Sequence, residues 1–338
     1  MKIFIKALLI ILGIGVLLTM ISMIFLPEFR IMSNIIQRNE AYGDVIEFVE
    51  ENEMTALTFD LKNRHINLNY VDEDYLTVRY YQRDKENFEF NVLNQNLIVS
   101  HTYEQIWSRI FVFNFVAKQY LTVEVDIPNS WQLATLDLKT ETGDIRLTHE
   151  HVKTYDEIDI NNATGSVYLS NIICDNLTVS TSTGDINLEE IVVNNLSKIT
   201  LSTGKTSLKH FISDQTQIKT STGDIIVDDL TTNDLEIDSS TGNVELSNSE
   251  IGTLDIDIST GRIIVQYVTA NAYQLKTSTG DIQVKLETMN DLKLNLKADT
   301  GKVRVDGLSQ GNQYQTQDGS IIFNARTSTG NITIEVDA

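Results

Sequence analysis

One cysteine, Cys174, is all that 338 residues supply. A lone thiol closes no internal disulfide and cannot build a cysteine-rich zinc site. Basic residues are also scarce: 26 Lys and Arg stand against 47 Asp and Glu, for a formal charge of −21. Such a surface repels nucleic acid and anionic lipid headgroups, so neither is expected as a partner. Phosphate-binding glycine motifs are missing too, since neither G-x-G-x-x-G nor G-x-x-x-x-G-K-[ST] occurs in a strand-to-helix setting.

What is present begins with residues 7–26, ALLIILGIGVLLTMISMIFL, twenty residues without a charge. As a helix this run is long enough to cross about 30 Å of hydrocarbon. Lys2, Lys6 and the free amine precede it, and Pro27 and Glu28 follow, so the charge bias favours a cytoplasmic N-terminus with the bulk of the chain outside; Arg30 and Arg38 oppose it. A cleaved secretory signal would have a shorter apolar core and a small-x-small cleavage site. The expectation is therefore a single-pass transmembrane anchor over 7–26 in a bacterial cell membrane, with 1–6 cytoplasmic. The bilayer is then the first expected partner. Export suits a nearly cysteine-free chain, and the lack of cysteine pairs points to a Gram-positive bacterium.

Residues 27–53 are polar with scattered aliphatics and read as a stalk. From 54 to 136 the apolar residues alternate with period two, as in Leu57, Phe59, Leu61 and Ile66, Leu68, Tyr70, which predicts a β cap domain. Within it the run IWSRIFVFNFVAKQYL, residues 106–121, is unusually aromatic; it reads as a buried hairpin or as a contact near the bilayer.

The rest of the chain, 137–338, repeats. Thr-Gly pairs end at Gly143, Gly165, Gly184, Gly204, Gly223, Gly242, Gly261, Gly280, Gly301 and Gly330, with Asp318-Gly319 standing in for one more. The first eight spacings are 22, 19, 20, 19, 19, 19, 19 and 21 residues. A fixed period of this kind marks a repeat array. Two residues after the glycine come aliphatics such as Ile145, Val167, Ile186, Ile225 and Ile282, and four after come Leu147, Leu169, Leu188, Val227 and Val284. Side chains two apart on a strand share a face.

Each unit is thus predicted to be two short strands joined at a Thr-Gly corner and closed by a polar turn. Equivalent strands of successive units would pair in parallel, and no unit could bury its apolar face alone. The fold expected is all-β: a parallel β-solenoid, or β-helix, of about eleven rungs of ~19 residues, making a rod of roughly 50 Å.

The residue after each glycine alternates in character: Asp185, Lys205 and Asp224, then Arg262, Asp281 and Lys302. No two consecutive repeats carry Asp there, which argues against a calcium ladder and reads as charge alternation along an exposed stack. The Thr before each glycine is expected to form a hydroxyl ladder satisfying backbone groups, with a ligand-binding edge as the alternative. His149, Glu150 and His151, with Asp156 nearby, fall in the long 22-residue repeat; two His at i, i+2 on a strand point to one side and could hold a metal with a third ligand that nothing in the sequence places, and an exposed turn explains the residues as well. His65, His101 and His210 are isolated. Carboxylates such as Asp228 and Asp229, Glu236 and Asp238, Asp255 and Asp257 are spread evenly rather than clustered as glycoside chemistry requires. No residue is therefore assigned a catalytic, cofactor-binding or metal-binding role, and no cofactor is expected.

The N-terminal anchor, the β segment ending in YLTVEVDIP and the serial STGDI units together resemble the candidate-adhesin family of bacterial β-strand-repeat proteins of unknown function. They are also similar to its membrane-anchored members encoded with envelope-stress systems of Gram-positive bacteria. Lys205-Thr206 and Asp318-Gly319 depart from the repeat wording. The resemblance implies a β-solenoid outside the membrane and carries no site residues. The expected function is a scaffold or adhesin-like binding module of the cell envelope, meeting envelope proteins or cell-wall polymers. The alternatives are an accessory of an envelope-stress sensor and a polysaccharide-processing β-helix enzyme. The last strand, NITIEVDA, is expected to present an open edge through which copies could self-associate.

Overall fold

The structure is a computed structural model that describes residues 42–103 and 116–336. The anchor expected over 7–26, the segment 1–6, the stalk as far as residue 41 and most of the aromatic run lie outside the described residues. Among the described residues no helix is long and apolar enough to cross a membrane.

One rung, Ile225–Thr241, shows how 19 residues make a layer. Its buried side chains are Ile225, Val227, Leu230, Thr232, Leu235, Ile237 and Ser239. The alternation resets at three places: at Gly223, at Asp229, whose φ is +59°, and at the exposed pair Asn233 and Asp234. Each rung therefore has three short sides, not the two strands expected. The additional corner at Asp229 recurs as Asn171, Glu190, His210, Asn248 and Tyr267, all with positive φ.

Rungs stack in parallel with like over like: Ile225 pairs with Val244, Val227 with Leu246, Leu235 with Leu254 and Ile237 with Ile256. The same ladder runs from Ile145–Thr164 through Val167–Thr183, Ile186–Thr203, Thr206–Thr222, Ile225–Thr241 and Val244–Thr260 to Ile263–Thr279. A single apolar core extends along it from Met54 to Ile334.

The segment expected as a β cap joins this stack directly. Ala56–Leu61 and His65–Val71 form a rung beneath the first repeat, pairing Leu57 with Leu136, Phe59 with Leu138 and Ile66 with Ile145. Asn96–Tyr103 and Thr122–Pro128 lie in parallel on its far side. Glu86–Leu93, Leu76–Tyr80 and Ile46–Glu50 then run antiparallel and close that end. Arg64 occupies the corner of the first rung, with its carbonyl carbon and oxygen against Gly143. Its side chain is buried and pairs with Glu86 Oε2 at 2.6 Å. Glu86 also accepts from Arg83 Nε at 2.8 Å, so this buried charge is compensated twice.

The far end departs from sequence order. The first half of Ile263–Thr279 pairs with Ile282–Leu286, but its second half pairs with Ile321–Thr329. Leu292–Thr300 pairs with the outer edge of Ile321–Thr329. Ile332–Val336 is likewise held between Ile282–Leu286 and Val303–Val305. In space the corners therefore run Gly280, Gly330, Gly301: the last repeat is inserted into the stack.

Two expectations are corrected by this. The edge of the last strand is not open over Ile332–Ile334, which are paired on both sides, so these residues offer no free edge for self-association. Asp318-Gly319 is not a corner of the column, since Gly319 lies against Asp291, Leu292 and Lys293. The outermost rung is covered instead by Leu308–Ser309 and Gln313–Gln315, which run antiparallel to it.

Candidate functional site: the repeat surface and the cleft at the irregular rung

The Thr-Gly corner that dominates the sequence proves to be a device for bringing rungs close together. Gly223 has φ +141°, and a Cβ there would sit 1.6 Å from the Gly204 carbonyl oxygen. Only glycine tolerates both the angle and the approach. At three corners the carbonyl is also reached by a hydroxyl from the next rung, from three residues before the glycine and not from the adjacent Thr, whereas Thr220 and Ser239 at the same position, facing Gly204 and Gly223, make no such bond. Thr181 Oγ1 donates to Gly165 O at 3.3 Å, Thr277 to Gly261 at 3.2 Å and Thr327 to Gly280 at 2.9 Å. These Thr side chains are buried, whereas the Thr adjacent to each glycine is exposed.

The residue after the glycine works by acceptor chemistry, not by charge alternation. Asp144 Oδ1 accepts the Ser166 amide at 3.1 Å, Asp185 the Lys205 amide at 2.9 Å, Asp224 the Asn243 amide at 2.8 Å and Asn243 the Arg262 amide at 3.0 Å. Ser166 serves the Asp185 amide in the same way at 3.1 Å. Asp, Asn and Ser share a short side chain with an acceptor oxygen, and Lys205 and Arg262 break the ladder because they have none.

The evenly spread carboxylates are engaged between rungs. Asp228 accepts from Ser247 Oγ at 2.8 Å and Asn248 Nδ2 at 2.7 Å, and these bonds hold its carboxyl below the usual range. Asp229 pairs with His210 at 2.6 Å. Lys219 pairs with Asp238 at 3.0 Å and Glu236 at 3.7 Å, and Lys276 pairs with Asp257. Asp255 is pushed up by burial and by the neighbouring Asp257, Asp238 and Glu236.

The regular surface is interrupted at the 22-residue repeat. Ser170 pairs with Thr148, but the next register pair sets Ile172 opposite Lys153. Residues 149–152 therefore face Asn171 alone and loop out. His149 turns inward and is buried, while Glu150, His151 and Val152 are exposed. The two histidines thus do not point to one side, and among the described residues no group of three His, Cys, Asp or Glu is placed to hold a metal.

The loop forms one wall of a cleft of about 660 Å³ whose other wall comes from residues 69–73 and Asn129. Its floor is a chain of bonds. Asn129 Nδ2 donates to Asp72 at 2.9 Å, and Lys153 Nζ donates to Asn129 Oδ1 at 2.8 Å. Lys153 also lies 4.0 Å from the centre of the Tyr70 ring. Beneath them the Tyr70 and Tyr155 hydroxyls meet at 3.1 Å, and the Tyr155 hydroxyl lies 3.3 Å from His149 Nε2. Burial, with the Lys153 charge, pulls His149 down to about 4, so the ring is neutral near pH 7. Burial pushes the Tyr70 phenol up to about 12 and lowers Lys153.

The other histidines are structural in their contacts. His65 Nδ1 accepts the Asp144 amide at 2.8 Å, and His101 is buried against Phe88 and pulled down to about 3 by burial. Cys174 is buried and free, and burial raises its thiol to about 12.

Stacked parallel rungs, a glycine corner repeated at one column and a continuous apolar core define a parallel β-solenoid repeat protein. The Toastrack DUF4097 domain matches residues 54–228 and again 207–337, and the chain belongs to that family. Among solved structures it is similar to a candidate cell adhesion protein of Clostridium sporogenes, 9% identical over 87% of this chain and 100% of that one with a TM-score of 0.21. It is also similar to candidate adhesins of Bacteroides fragilis (11% identical, 87% and 98%, TM-score 0.34) and Parabacteroides merdae (11%, 86% and 96%, TM-score 0.38). At these scores the likenesses carry no argument about this chain. No curated protein matches the sequence.

Proposed function

We propose that this protein is a non-catalytic scaffold or adhesin-like binding module of the bacterial cell envelope. It would be tethered by residues 7–26 with the solenoid outside the cell. The observation that carries the reading is the division of labour in each rung. Inward positions are spent on the core and corner residues on rung-to-rung bonds, so the outward columns remain a rigid, repeated and strongly acidic surface. Such a surface suits many weak contacts along a partner better than one reaction at a point. The carboxylates that glycoside chemistry would need are tied to neighbouring rungs at Asp228, Asp229 and Asp238, which favours the scaffold over a polysaccharide-processing enzyme.

Cross-linking in intact envelopes followed by capture of the full-length chain tests this reading. Specific recovery of an envelope protein or cell-wall polymer is expected. Recovery of none would contradict it. Exchanging residues 7–26 for an unrelated span separates the roles: a scaffold or adhesin retains its partners, whereas an accessory of a membrane sensor that acts through the span loses its effect.

A further inference from the structure

The cleft at the irregular rung has the chemistry of a ligand site. Its volume of about 660 Å³ lies within the ~300–1,000 Å³ of small-ligand pockets, and its walls are mainly polar, which suits a ligand rich in hydroxyls. Elsewhere on the solenoid, carboxylates such as Asp144, Asp185, Asp224 and Asp228 give their oxygens to the next rung. Glu73 and Glu150, by contrast, line the cleft, are exposed and have no hydrogen-bond or ion-pair partner among the described residues. The cation beside them is already engaged, because Lys153 is held by Asn129 and lies over the Tyr70 ring. With Asp72, Glu73 and Glu150 set against the single charge of Lys153, the ionisable side chains lining the cleft are net negative. His149 adds a directional group: it lines the cleft, is 7% exposed, has its Nε2 facing Tyr155, and its Nδ1 has no hydrogen-bond partner among the described residues. The floor beneath is fixed by the Asp72, Asn129 and Lys153 chain, so the site is largely formed before any ligand arrives.

From this arrangement we propose that the cleft binds an amino-sugar unit of a glycan. Glu73 and Glu150 would receive its free ammonium, and Asp72 and His149 would meet its ring hydroxyls. Carboxylates accept strong charge-assisted bonds from an ammonium, and an acetylated or anionic sugar offers no charge to match them. The proposal rests on the binding-module reading only in placing such a glycan within reach of the protein.

Calorimetric titration of the full-length chain with a short glucosamine oligomer tests it. The result expected is one saturable site, weakened at least tenfold when Glu73→Gln and Glu150→Gln are combined. The N-acetylated oligomer should bind at least tenfold more weakly than the free-amine form. Glu245→Gln with Glu287→Gln removes the same charge from exposed positions outside the cleft and should leave the affinity unchanged. Equal weakening by both pairs would reduce the effect to net charge and overturn the proposal, as would equal affinity for the acetylated oligomer or the absence of saturable binding. Free glucosamine should compete with the oligomer for the unsubstituted chain, a readout that needs no variant to fold. The titration uses no envelope partner, so its failure and the failure of the scaffold reading are separate results.

Discussion

Replacing Gly223 by Ala should do far more damage than the loss of one hydrogen atom suggests. The new Cβ would be 1.6 Å from Gly204 O, and the backbone at φ +141° already disfavours any side chain. Holding that angle costs about 1–3 kcal/mol. Relieving the clash means moving two rungs apart by more than an ångström, which breaks or weakens the bonds from Gly204 N to Thr222 O and from Thr206 N to Asp224 O, now 3.1 and 3.0 Å. Each contributes about 0.5–1.5 kcal/mol, so the total loss is roughly 2–6 kcal/mol. Gly307→Ala provides the control: its φ is +74° and nothing lies within 4 Å of the added carbon, leaving only the left-handed penalty of about 1–2 kcal/mol. Urea unfolding followed by far-UV circular dichroism measures the difference. Hydrogen exchange should place the loosening in the rungs on either side of Gly223, because each rung bears on its neighbours. Equal shifts for the two variants would refute the argument that the corner glycine is required by rung spacing.

The acceptor ladder makes its own forecast: Asp224→Ala should cost about 1 kcal/mol and Asp224→Asn only a few tenths, while Lys205→Asn, by supplying an acceptor for the Asp224 amide, should raise the urea midpoint. Cys174, buried with its thiol raised to about 12, should resist alkylation in the native protein and react only on unfolding; rapid native labelling would contradict its place in the core. His149 and His101 are held down to about 4 and about 3 from an ordinary 6.5, so unfolding takes up protons below that value. Stability should therefore be full above about pH 6.5 and fall as the pH drops toward 4 and then 3, by roughly 3 kcal/mol through His149 and about 5 kcal/mol through His101. A melting temperature flat over that window would count against both assignments.

Much of this architecture was legible because one physical requirement recurs at a fixed spacing. A glycine that cannot be replaced leaves its mark at every corner, and the aliphatics two and four residues beyond it set the inward face. The corner at Asp229 left no such mark. Its left-handed backbone costs a non-glycine residue only about 1–2 kcal/mol, so Asn171, Glu190, His210 and Tyr267 all serve and no residue type betrays the column. Arg64 was hidden for a related reason: it makes a corner without glycine, stabilised by the pairing with Glu86 that only the folded chain brings together.

Insertion of the last repeat was also illegible. Every rung presents the same apolar edge, so local pattern cannot say whether residues 292–305 or 321–336 will lie against Ile282–Leu286. The cleft was half legible. The 22-residue spacing located the irregularity, but alternation placed His149 and His151 on one side, whereas the loop that absorbs the extra residues sends one inward and the other to solvent.

Disulfide trapping at the inserted rung most directly tests the claim that rungs are held by parallel neighbours in spatial, not sequential, order. Gln283 is the register partner of Thr333, and Thr333 of Arg304. Under mild oxidation, cysteines introduced at 283 and 333, or at 333 and 304, should cross-link rapidly, and the pair at 283 and 304 should not. Rapid cross-linking of 283 to 304 with none to 333 would mean that the repeats stack in sequence order and would contradict the fold described.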